Sequence, residues 1–92
     1  MDKAKVEQFC KKFANYVTGN WRDNHLHIYV DIGSGQPRIS CYGLGKVNYR
    51  GDVHPEDPFY EALLDLIKTF PEKARMLSVE FFCGKICKVE IS

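Results

Sequence analysis

The chain has three histidines and four cysteines, the side chains best suited to hold a metal or attack an electrophile. His25-x-His27, His54 and Cys83-x3-Cys87 supply enough imidazole and thiolate donors for a tetrahedral zinc ion. Their spacing is not that of a zinc knuckle. Three residues separate Cys83 from Cys87 across a glycine-bearing turn, and the alternation around Cys87 assigns it to an apolar strand face. His25 and His27 share a strand face, as any two polar residues on a solvated face would. The expectation is therefore no metal and no other cofactor, with reduced cysteines packed as small apolar side chains. A metal-stabilised regulatory domain is the alternative these donors leave open.

Catalysis would need one of those cysteines beside a histidine, or acid-base work from Asp52, His54, Glu56 and Asp57. The surrounding sequence supplies no nucleophile elbow, no HExxH and no phosphate-cradling loop. Gly33-Ser34-Gly35 leaves a strand for a hairpin turn and does not open a helix. No catalytic residue is assigned, and a chain of 92 residues has little core to spare for a closed pocket. A non-enzyme is expected, with no small-molecule substrate.

Aromatic and guanidinium groups point to binding instead. Trp21-Arg22, His27, Tyr29, Arg38, Tyr42 and Tyr49-Arg50 fall on or beside the polar faces of strands. Such groups stack unpaired bases, hold phosphates and dominate protein interface hot spots. The same residues would also serve a purely structural end, Trp21 closing the core and the tyrosines stabilising cross-strand pairs. The candidate partner-binding set is Arg22, Tyr29, Arg38, Tyr42 and Arg50. Lys5 and Lys12 of the first helix form a competing basic face, otherwise an ordinary solvated surface. Glu56, Asp57, Glu61 and Asp65 add an acidic edge.

These groups need elements to carry them. Val6, Phe9, Cys10, Phe13, Tyr16 and Val17 recur at helical spacing, which predicts an amphipathic helix over 2–18 stopped by Gly19. From His25 the period becomes two: Leu26, Ile28, Val30 and Ile32 face the core, and His25, His27, Tyr29 and Asp31 face away. A turn at Gly33-Ser34-Gly35-Gln36-Pro37 leads to a second, antiparallel strand around Ile39 and Cys41, and a third follows over 46–50. Asp57 as N-cap and Pro58 at N1 open a second helix, with Phe59, Leu63, Leu66, Ile67 and Phe70 on its buried stripe, ended by Pro71.

The last stretch, 75–92, alternates twice and reads as a hairpin. A tight Gly84-Lys85 turn would put Val79 opposite Glu90 on one face, so a three-residue Cys83-Gly84-Lys85 loop or a neighbouring bulge is expected. Either would set Val79 opposite Val89 and Phe81 opposite Cys87. The order is α-β-β-(β)-α-β-β. A single compact domain, 1–92, of the α+β class follows: a mostly antiparallel sheet of four to five strands with two helices on one face.

Apolar residues make up 45% of the chain and charged residues 27%, a globular balance that excludes disorder and coiled coil. The formal charge of +1 leaves no gross field to draw nucleic acid or membrane, so a partner must be recognised by a local patch. Lysine-rich early residues lack an apolar signal core, and with reduced thiols this predicts a cytoplasmic protein without a membrane partner.

The α-β-β-β-α opening resembles double-stranded RNA-binding domains, except that Glu56-Asp57-Pro58 and Glu61 stand where that family has a basic run. In size, in its self-contained α+β order and in lacking an enzyme motif, the whole chain is similar to the small phage-encoded anti-CRISPR proteins that act on type I surveillance complexes. That resemblance implies a stoichiometric inhibitor in the host cytoplasm. It would dock on a CRISPR ribonucleoprotein, against protein or guide-RNA backbone, and block recognition of target DNA. The competing reading is a small single-stranded nucleic-acid-binding domain.

Overall fold

The computed structural model describes residues 2–20, 25–33, 35–43 and 48–92. The chain runs α1 (Lys3–Thr18), β1 (His25–Asp31), β2 (Arg38–Gly43), β3 (Asn48–Asp52), α2 (Tyr60–Ile67), β4 (Met76–Phe82) and β5 (Lys85–Ile91). This is the expected α+β order. The strands form one antiparallel sheet in the order β3-β2-β1-β4-β5, so β1 lies at its centre.

Helix α1 starts and stops where its sequence dictates. The Asp2 carboxylate accepts the Ala4 N–H at 2.9 Å, and Gly19, at φ +75°, donates its N–H to the Asn15 carbonyl. These contacts satisfy backbone groups that the helix itself leaves unpaired. Its buried stripe of Val6, Phe9, Cys10, Phe13 and Ala14 meets Leu26, Ile28, Val30, Ile39, Cys41, Leu77, Val79 and Phe81 from one side of the sheet, with Leu63 and Leu66 from α2. The Phe13 ring stacks on Phe9 at 5.9 Å and takes Tyr49 and Phe59 edge-on at 5.2 and 5.1 Å, and Phe59 in turn meets Phe9, Tyr16 and Tyr49. Val17, Ile67 and Val89, expected in the core, are only partly buried around it.

Two local expectations are corrected. Asp57 does not cap α2: its carboxylate accepts the His54 N–H at 2.8 Å and closes the preceding turn. The helix begins further on, after Phe59, whose fully buried ring anchors the helix entry in the core without a side-chain cap. Pro58 accordingly lies in the turn and not at N1.

The terminal hairpin resolves its parity conflict by the second of the two expected devices, a bulge, combined with a tight turn one residue earlier than Gly84-Lys85. Cys83 and Gly84, at φ +47° and +80°, make a two-residue turn that pairs Phe82 with Lys85. Positive φ at both turn residues matches the right-handed strand twist. A bulge at Glu80/Phe81 then absorbs one residue, so Val79 faces Val89 as expected but Phe81 faces Ile86. Cys87 is the extra residue and is exposed, not on the apolar face. Strand β3, expected over 46–50, is described over Asn48–Asp52, and residues 46 and 47 lie outside the described residues.

Candidate functional site

Strand alternation that buries one side of the sheet sends His25, His27, Tyr29 and Asp31 of β1 to the other side. Register adds Arg38, Ser40 and Tyr42 from β2, Arg50 and Asp52 from β3, and Met76, Ser78, Glu80 and Phe82 from β4. Both helices bury their stripes against the opposite side, so among the described residues no element covers this face. It carries two of the three most exposed large hydrophobics, Tyr42 at 49% and Phe82 at 48%.

At the centre, Tyr29 sits between two serines, Ser40 on β2 and Ser78 on β4. The Tyr29 side chain is half-buried between these small neighbours. Tyr42 approaches it edge to face, with ring centroids 5.9 Å apart. Beside them Tyr29, Asp31, Arg38, Ser40, Arg50 and Met76 line an open concavity of ≈ 240 Å³. Arg38 holds Asp52 through Nε at 2.9 Å, which fixes one guanidinium on the rim. Four of the five predicted sheet residues, Tyr29, Arg38, Tyr42 and Arg50, therefore share one face. Arg22 lies outside the described residues. Lys5 and Lys12 lie on α1, which packs on the other side of the sheet, so they do not join the site.

The other end of the face holds His25, His27 and Glu80. The His25 Nε2 lies 3.1 Å from Glu80 Oε1, and one donor atom from each of the three residues falls within 4.8 Å of the others. Phe82 closes edge-on against the His25 ring at 5.1 Å. His54, Cys83 and Cys87, the remaining sequence candidates for a metal, are not part of this cluster. The sequence reading missed Glu80, which reaches the histidines because β4 pairs with β1. Hydrophobic alternation gives the faces of each strand but does not say which distant strand lies beside it.

Charge on the face is balanced. Arg38, Arg50, Lys85 and Lys88 stand against Asp31, Asp52, Glu80 and Glu90. Lys88 is held charged above the usual lysine range by its hydrogen bond to Glu90, 3.0 Å away. On the packed side, burial pushes the Cys41 thiol up to about 12 and raises Cys10 further, with Cys41 and Glu7 adding to the rise at Cys10. Neither offers a thiolate nucleophile at neutral pH. Burial also raises the Tyr49 phenol, with Asp57 and Tyr16 contributing. No described helix is long and apolar enough to cross a membrane. Compared with protein-family models, curated proteins and solved structures, the chain matches none of them.

Proposed function

We propose that the protein is a non-enzymatic docking protein that uses the uncovered sheet face centred on Tyr29, Tyr42, Arg38 and Arg50 to bind a large ribonucleoprotein. The observation that carries this reading is a sheet face that none of the described elements covers, where aromatic rings and arginines converge beside a concavity. Tyrosine and arginine at the centre of a patch are what binding hot spots are made of. Arginine's planar fork can take a phosphate or carboxylate by two hydrogen bonds. The balance of charge favours a shaped partner with protein surface of its own over arbitrary nucleic acid, because free phosphate backbone rewards excess positive charge. In its narrower form, following the resemblance to anti-CRISPR proteins, the proposal is stoichiometric inhibition of a type I surveillance complex by occlusion of its DNA path in the host cytoplasm.

The test is capture of target DNA by a purified type I surveillance complex at increasing inhibitor ratio. Wild type should abolish capture near equimolar ratio. Arg38→Gln with Arg50→Gln should lose the effect while the protein stays folded with a cooperative melt, and reversal of Lys5 and Lys12 should keep it. No effect of wild type at any ratio removes the inhibitor reading; loss in the helix variant alone moves the site to α1.

One observation favours a second reading. Tyr29 on the central strand with Tyr42 beside it also forms a platform on which unpaired bases could stack. Binding of a short single-stranded oligonucleotide, lost in Tyr29→Ala and weakening with added salt, would favour that reading over a ribonucleoprotein-specific dock.

A further inference from the structure

We propose that His25, His27 and Glu80 form a binding site for a divalent transition-metal ion, zinc foremost, on the uncovered face. His25 and His27 are two residues apart on β1 and project the same way, while Glu80 on β4 is the direct cross-strand partner of His27. Two imidazoles and one carboxylate thus converge from adjacent strands at one end of the face, where the ladder between β1 and β4 fixes their backbones. Their donor atoms already lie within 4.8 Å of one another. Tetrahedral zinc with bonds of about 2.0–2.1 Å needs its donors about 3.4 Å apart, so small side-chain rotations close the set.

All three residues are half-buried, and the side chains of His25 and Glu80 retain only 19% and 34% of their exposure. Little rotamer freedom is left for a metal to remove. The Phe82 ring packed edge-on against His25 shields one flank and orients that imidazole.

The donor set selects the ion. Two nitrogens and one oxygen suit zinc and its first-row neighbours, whereas magnesium and calcium require shells of oxygen. Three protein donors leave a coordination position on the solvent side of the sheet, open to water or to a nitrogen, sulfur or carboxylate donor.

The experiment is calorimetric titration of zinc chloride into chelator-stripped protein, with exposed Cys83 and Cys87 replaced by serine so that thiols cannot supply the ligands. One equivalent should bind. His27→Ala and Glu80→Gln in that background should each weaken binding at least about tenfold, with unchanged far-ultraviolet spectra. Cobalt should bind the same site with the visible absorption of a four-coordinate complex, and magnesium should not compete. Binding that survives His25→Ala combined with His27→Ala would overturn the proposal by placing the ion elsewhere. So would binding seen only when Cys83 and Cys87 are intact, or the absence of one-to-one binding at 100-fold excess zinc over protein.

Discussion

Tyr29 and Tyr42 meet across the β1–β2 ladder without being directly paired: Tyr29 faces Ser40, Tyr42 faces His27, and the two rings touch on the diagonal, edge to face at 67°. An antiparallel ladder brings diagonal neighbours within reach only of large side chains. Two rings held this way form a ledge that neither would make alone.

Removing the outer ring should therefore leave the fold and spoil the ledge. Tyr42→Ala is expected to cost about 1–2 kcal/mol, since the ring is half exposed and its aromatic pair adds about 0.5–1.5 kcal/mol beyond burial. Partner binding should weaken about tenfold or more. Urea midpoints and an affinity measurement on the same sample separate the two effects; a large drop in midpoint with unchanged affinity would make the ledge structural.

Phe13→Ala should behave in the opposite way. The ring is fully buried among Phe9, Tyr49 and Phe59, and its loss leaves a cavity that three other rings cannot collapse to fill. The expected cost is about 3–5 kcal/mol, a large share of what a small domain has. Chemical denaturation should show a much lower midpoint, and a change under 1 kcal/mol would mean that α1 is not seated as described.

The cysteines should divide by reactivity. A thiol reagent at pH 8 should label Cys83 and Cys87 in the folded protein and reach Cys10 and Cys41 only after denaturation. Peptide mapping of the label identifies them, and rapid native labelling of Cys10 would contradict its burial.

Stability should fall at alkaline pH. Burial pushes the folded Cys41 thiol up to about 12 from its ordinary value of 9.0, so between these values the unfolded chain gives up a proton the folded chain retains. The stabilisation is complete below the unfolded value and is lost as pH rises toward the folded one, by up to about 1.4 kcal/mol per pH unit. Cys10, also raised, adds in the same direction. Urea midpoints from pH 8 to 10.5 should therefore fall less in Cys41→Ala than in wild type, and identical slopes would rule out a titrating buried thiol at that position.

Cys83 occupies a conformation that costs a side-chain-bearing residue energy. At φ +47°, followed by Gly84 at φ +80°, it stands where asparagine is favoured. Cys83→Asn should raise stability by about 0.5–1 kcal/mol, read as a higher melting temperature. An unchanged or lower value would argue against a two-residue turn there.

Much of this architecture is legible in the sequence because local periodicity reports local burial. The stripe on α1, its Asp2 and Gly19 ends, and the alternation in β1, β2 and β4 all emerge from neighbours a few residues apart. The hairpin parity conflict announces either a three-residue loop or a bulge but does not choose between them, and the bulge sits where Phe81 can meet Ile86 and Cys87 can leave the core. Asp57 shows the limit of a capping signal: its carboxylate is claimed by the His54 N–H before the helix begins. The face of Tyr29, Tyr42, Arg38 and Arg50 follows from alternation within β1 and β2 and short-range pairing to β3. Glu80 beside the histidines depends on the long-range pairing of β1 with β4, which no local pattern encodes.

That same ladder divides the chain into two self-paired pieces. The β1-β2-β3 meander and the β4-β5 hairpin can each form from nearby residues, but the middle of the sheet joins Asp31 to Met76 at its nearest and His25 to Phe82 at its farthest. Docking the hairpin against the meander closes a loop through α2, so the slow entropic step of assembly lies at the centre of the sheet and not at its edges. A chain opened at the exposed His54-Pro55-Glu56 turn would retain both pieces intact and lose only the tether between them. The two fragments should recognise each other through the β1–β4 seam and the shared core, making reassociation a direct measure of how tightly the halves are matched.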